Sequence, residues 1–113
     1  MKLQVSELDG GILLIALQGK MDSAGVYTVE MDFIRHCSGS GKRILVDVSR
    51  VSYISSIGIP MLVNTAKVLM TQNGKMALLS PQKDVLNVLE MVGVSRIIPV
   101  FHDLKMAKKY LQE

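Results

Sequence analysis

Ile44-Leu45-Val46-Asp47-Val48-Ser49-Arg50-Val51-Ser52-Tyr53-Ile54-Ser55-Ser56-Ile57-Gly58-Ile59-Pro60-Met61-Leu62-Val63 holds the two hydrophobic periods that decide the fold. Its first five residues are β-branched and nearly all apolar, the pattern of a central strand covered on both faces. Ile59, Leu62, Val63, Ala66 and Leu69 then recur at helical spacing as far as Asn73-Gly74. Asn-Gly stops a helix, with Gly74 suited to the left-handed position. Between strand and helix lies a serine loop, Ile54 to Ile59. A helix start is expected near Ile57 or Gly58, where one serine would cap a free backbone N–H. Pro60 agrees, because the first turn needs few backbone donors.

Towards the C-terminus, Met76-Ala77-Leu78-Leu79 reads as a second buried strand. Ser80-Pro81 follows as cap and first helical residue. Val85, Val88, Leu89 and Val92 form the strongest periodic signal in the chain, and Gly93 ends that helix. Ile97-Ile98-Pro99-Val100 reads as a short strand that its proline confines to a sheet edge. Asp103 caps a last helix carrying Leu104, Ala107 and Leu111.

Towards the N-terminus, residues 2–8 alternate and Ile12 to Leu17 is an apolar run, with Gly10-Gly11 between them, which reads as a hairpin. Asp22 or Ser23 caps a helix supported by Val26, Tyr27, Glu30, Met31 and Ile34, which ends before the loop Ser38-Gly39-Ser40-Gly41. The predicted order is ββαβαβαβα. The fold class is therefore α/β: a single domain over residues 1–113, with an N-terminal β-hairpin, then alternating βα units, and a mixed sheet with four helices.

The composition agrees with one globular domain. The 113 residues are 49% hydrophobic, with no repeat or linker, and a chain of that size buries roughly two-thirds of its unfolded surface. A single cysteine, Cys37, excludes an internal disulfide and suits a reducing compartment. No stretch approaches the ~20 apolar residues of a membrane helix, and the start of the chain lacks the apolar core of a signal peptide. The expected localisation is cytoplasmic, with no membrane insertion. The net charge is +3, but the cations are scattered. The densest group, Lys105, Lys108 and Lys109, complements the C-terminal dipole of a last helix, so no nucleic-acid partner is expected.

Chemistry needs convergent groups, and few are available. His36 and His102 stand alone, there is no CxxC, and no metal or cofactor site is expected. There is no nucleophile elbow, Walker loop or dinucleotide fingerprint. Cys37 reads as a small buried hydrophobe, and Asp22 and Asp47 have no base or metal-ligand partner. The expectation is a binding protein without catalytic residues. Most of the eight methionines fill core space, but Met61, beside the serine loop, could join Ile57 and Ile59 in an apolar docking patch.

Three segments taken in order resemble a STAS domain, the fold of bacterial anti-sigma-factor antagonists. Leu17-Gln18-Gly19-Lys20-Met21-Asp22 resembles the turn before the family's first helix. Ile44 to Ser49 followed by Val51 to Ile59 resembles its central strand and signature loop. Val85 to Phe101, with Val92-Gly93-Val94 and Arg96-Ile97-Ile98-Pro99, resembles its C-terminal segment. The resemblance implies an anti-anti-sigma factor acting in transcription regulation through protein–protein interaction. Its implied partner is an anti-sigma factor, often a histidine-kinase-like serine kinase, with a serine phosphatase resetting the cycle. The implied partner-binding residues are Asp22, Ser23, Ser55, Ser56, Ile57, Gly58, Ile59 and Met61.

The loop departs from the family pattern at one position. Where the family often reads Asp-Ser-Ser-Gly or Asp-Ser-Thr-Gly, Ser55 takes the Asp position, Ser56 the first Ser position and Ile57 the phosphoacceptor position. Isoleucine has no hydroxyl. Either Ser56, or after it Ser55, carries the phosphate, or the chain is a non-phosphorylated STAS scaffold subunit of a signalling or lipid-transport complex.

Overall fold

The computed structural model describes residues 1–113. Its elements run β1 (Lys2–Leu8), β2 (Ile12–Met21), α1 (Ser23–Cys37), β3 (Arg43–Ile54), α2 (Ile59–Thr71), β4 (Lys75–Leu79), α3 (Lys83–Val92), a 3₁₀ turn (Val94–Arg96), β5 (Val100–Phe101) and α4 (Leu104–Gln112). The five strands form one sheet in the order β1-β2-β3-β4-β5. The β1–β2 hairpin is antiparallel and the other pairs are parallel, as expected when a helix joins each later strand to the next.

One sheet face carries the main core. Ile15, Val46 and Leu78 meet Val29 and Phe33 of α1, Leu62 and Leu69 of α2, and Val85 and Leu89 of α3. The opposite face carries a smaller cluster in which Ile12, Leu45 and Ala77 meet Ala107 and Leu111 of α4. α4 is tied down by Lys75, which donates from Nζ to the carbonyl oxygens of Tyr110 (3.2 Å) and Glu113 (2.8 Å) and lies over the Tyr110 ring. Lys108 pairs with Asp9 in the hairpin turn and holds that carboxyl below its ordinary range.

Several local expectations are corrected. α1 buries Gly25, Val26, Val29, Phe33 and Cys37, whereas Tyr27 (86% exposed), Met31 and Ile34 face outward. α3 starts at Lys83 with Gln82 as its cap. Ser80 instead prolongs the sheet, donating its N–H to the Phe101 carbonyl at 2.8 Å. Ile97-Ile98 is not a strand: both amides donate to the Val94 carbonyl as the 3₁₀ turn closes, and Ile98 plugs the core. Only Val100-Phe101 pair as the edge strand. At the end of α2 the left-handed residue is Asn73 (φ 63°). Gly74 serves a close approach, since a Cβ there would lie 2.7 Å from the Lys42 carbonyl oxygen.

Burial pushes the Cys37 thiol up to about 12 from its ordinary 9.0. The folded thiol keeps its proton while the unfolded chain sheds it above pH 9. Stability from this group is therefore complete below pH 9 and declines as pH rises towards 12, by at most ~1.4 kcal/mol per unit. Urea midpoints measured from pH 8 to 10.5 should fall more steeply for the wild type than for Cys37→Ala. Equal slopes would remove Cys37 as the cause.

Candidate functional site

The parallel strands β2 and β3 bring two connections together at their C-terminal ends, and the backbone there explains the glycines. Asp22 caps α1, its Oδ1 accepting from Gly25 N–H at 2.8 Å. Gly25 is obligatory at that place because a Cβ would sit inside the Lys20 carbonyl oxygen. Across the sheet end, Ser55 N–H donates to the Met21 carbonyl at 3.1 Å, and Ser55 Oγ donates to the same oxygen at 3.2 Å. Gly58 packs on this junction too: a Cβ would lie 2.8 Å from Met21 O and 3.0 Å from Met21 Cβ.

Ser55 to Gly58 form a tight turn ahead of α2. Gly58 N–H donates to Ser55 O at 3.0 Å, and Ile57 N–H donates to Ser55 Oγ at 3.3 Å. The serine thus caps the turn, not the helix: α2 begins at Ile59 after an uncapped Gly58, with Pro60 in its first turn. Ser55 is half-buried. Ser56 is exposed, and its hydroxyl takes no part in the bonds that fix the turn. Ile57 is 57% exposed, with Tyr53 also outward nearby.

Of the residues proposed from sequence, Asp22, Ser55 and Gly58 form the framework, and Ser56 and Ile57 form the accessible tip. Ser23 is exposed on the first turn of α1. Met61 is corrected: at 2% exposure it belongs to the main core and offers no free docking side chain, whereas Ile59, largely buried in the same core, still presents an edge to the groove beside the loop. α2 joins α1, α3 and the sheet in one core, and that packing covers the Met61 side chain. The contacts missed from sequence lie across α2 from α1. There Pro60, Val63, Val92 and Ile97 join Ser56 and Ile59 in lining a shallow groove of about 450 Å³ that bears no charged residue. Val92, 54% exposed, marks the signal that was available: the last apolar residue of α3 exceeds what its core face needs.

Removing the cap at Asp22 has a defined cost. Asp22→Ala should destabilise the chain by ~1 kcal/mol, and Asp22→Asn should retain most of that. Urea denaturation measures both. Equal midpoints for wild type and Asp22→Ala would mean the carboxylate contributes nothing to the start of α1.

Fold and loop together define a small α/β domain that presents a hydroxyl-bearing turn at the C-terminal ends of its parallel strands. The chain belongs to the STAS-domain family, whose model matches residues 4–107. It is 31% identical over 107 residues to BtrV of Bordetella bronchiseptica, a protein assigned as an anti-sigma factor antagonist, covering 95% of this chain and 91% of that one. The fold is shared with an anti-sigma factor antagonist from Mycobacterium paratuberculosis at TM-score 0.87 and 18% identity, over 99% of this chain and 94% of the other. It is also shared with the Bacillus cell-fate determinant SpoIIAA in its phosphorylated form at TM-score 0.68 and 17% identity, over 96% and 99% of the two chains. No helix is long and apolar enough to cross a membrane.

Proposed function

We propose that the chain is an anti-sigma factor antagonist that binds a histidine-kinase-like serine kinase through the tip Ser56-Ile57 and the uncharged groove beside it. One observation carries this reading: an exposed serine whose hydroxyl is unengaged stands between an exposed isoleucine and an apolar groove. Membership of the STAS family and the likeness to BtrV support it. In this reading Ile57 contributes apolar contact and Ser56 is the phosphoacceptor. Ser55 is the lesser candidate because its hydroxyl is occupied at both of its hydrogen-bonding functions. The partner transfers the γ-phosphoryl group of ATP to Ser56 Oγ: the Oγ–P bond forms, the bridging P–O bond to ADP breaks, and the hydroxyl proton passes to a base of the partner. A serine phosphatase reverses the modification, and the cycle runs in the cytoplasm.

Affinity purification of the full chain from its host, followed by mass spectrometry, tests both parts. The expected result is an anti-sigma factor with an ATP-binding kinase fold in the eluate, and phosphate on Ser56 after addition of ATP. A recovered signalling or transport complex with no phosphate on either serine would support the scaffold reading instead.

A further inference from the structure

We infer that Ser55 is the positioning residue of this surface: its hydroxyl latches the serine turn to the β2–α1 junction, and so holds Ser56 and Ile57 outward. The inference deepens the proposed binding role and rests on it for its functional meaning. Its physical basis is separate. A hydroxyl can donate and accept at once, and Ser55 Oγ does both, donating to Met21 O at 3.2 Å and accepting from Ile57 N–H at 3.3 Å. The side chain therefore joins two segments 34 residues apart in sequence.

The residue type matters. An aspartate, the residue common in the family's loop at this place, could accept from Ile57 N–H. It has no proton to give the Met21 carbonyl, and its charge would face that oxygen. Alanine does neither. Of these three side chains only the hydroxyl closes both contacts, so the two-way bridge comes from this chain's own departure from the family pattern. The anchor is stiff: Asp22 holds Gly25 N–H, and Gly25 and Gly58 are packed where no Cβ fits without a shift of the backbone. A rigid junction transmits what happens at Ser55 to the start of α1. The two serines are consequently inequivalent. A phosphate on Ser56 adds charge to a turn that stays in place, whereas esterifying Ser55 removes the proton its hydroxyl donates to Met21 and leaves the turn tied to that carbonyl by the Ser55 N–H alone.

Amide-resolved NMR of the full chain, without any partner, tests the latch. Ser55→Ala should move the signals of Asp22 to Gly25 as well as those of Ile57 and Gly58, and speed hydrogen exchange at the Ile57 amide about fivefold. Ser56→Ala should leave the Asp22 to Gly25 signals in place. Ser55→Thr and Ser55→Val are near-isosteric, and only Thr should keep the wild-type pattern. This pair decides the matter even where the alanine variant folds poorly. Phosphoserine incorporated at position 55 should reproduce the Ser55→Ala pattern, and phosphoserine at position 56 should not. The inference is overturned when the Ser55→Ala changes stay within residues 54–58, when Val preserves the pattern as well as Thr does, or when the two phosphoserine forms give the same pattern. A Ser56 that never receives phosphate in the host would defeat the proposed switch and leave these spectra unchanged.

Discussion

Gly25→Ala is expected to destabilise the chain by ~3 kcal/mol and to lower the melting temperature by roughly 10 °C. In an ordinary helix interior the same change is favourable by ~1 kcal/mol, because alanine is the better helix former. Here the sign reverses. Gly25 has an ordinary helical backbone, so the penalty is purely steric. The added Cβ meets the Lys20 carbonyl oxygen and comes within 3.2 Å of Asp22 Oδ1. A flexible side chain could rotate away, but a backbone carbonyl in a sheet cannot. The start of α1 must therefore lift, and the Asp22 cap, worth ~1 kcal/mol by itself, is lost with it. Urea denaturation and a thermal melt give the magnitude, and Gly58→Ala should show a smaller loss, since its contacts at 2.8 and 3.0 Å need less displacement. A Gly25→Ala variant as stable as the wild type would mean that the two connections do not pack as closely as described.

The order of elements could be read from the sequence because most segments have a single buried face. α3 is the clearest case, with Val85 and Leu89 in the core, Val88 half-buried beside them, and only Val92 at the end of the stripe left exposed. α1 misleads because apolar residues occupy both sides: Tyr27, Met31 and Ile34 give helical spacing as good as that of Val26, Val29 and Phe33, and only packing shows which stripe faces the sheet. The second half of β3 was hidden for a different reason. Its register against β2 slips between Ala16 and Gln18 and again between Gly19 and Lys20, with the extra residues on β3. Buried side chains then fall at Val48, Val51 and Ile54, a spacing of three that no strand template detects.

The placement of the candidate site was legible to a similar degree. Asp22, Ser55, Ser56, Ile57 and Gly58 were identified from motif position, and the structure gathers them at one sheet end. Their separate duties were not legible. Which serine is engaged depends on the Met21 carbonyl, supplied by a strand 34 residues away. Met61 reads as a surface residue because position beside an exposed loop says nothing about what packs against α2. That Val92 and Ile97 face the loop is not legible either, because the groove they line exists only once α3 is laid beside α2.

Phosphate on Ser56 is expected to weaken the complex with the anti-sigma partner about a hundredfold, which corresponds to ~2.7 kcal/mol. The modification adds roughly two negative charges at the mouth of a groove that contains none. Two mechanisms could account for the loss, and they respond differently to salt. Repulsion between exposed charges is screened over about 10 Å at 0.1 M salt and collapses at 1 M. Burial of an unpaired charge against Ile57, Pro60 and Val92 is a desolvation cost that salt hardly touches. The apolar lining favours the second, so most of the hundredfold loss should survive an increase from 0.1 to 0.5 M salt. Titration calorimetry with the chain carrying phosphoserine at position 56 measures it directly, beside Ser56→Ala and Ile57→Asp. Ser56→Ala should bind within about threefold of the wild type, since a small exposed hydroxyl contributes little. Ile57→Asp should match the phosphorylated chain, because it places a charge in the same contact without phosphate. If phosphoserine binds as tightly as serine while Ile57→Asp does not, the interface includes the turn but Ser56 points away from it, and the switch must lie elsewhere.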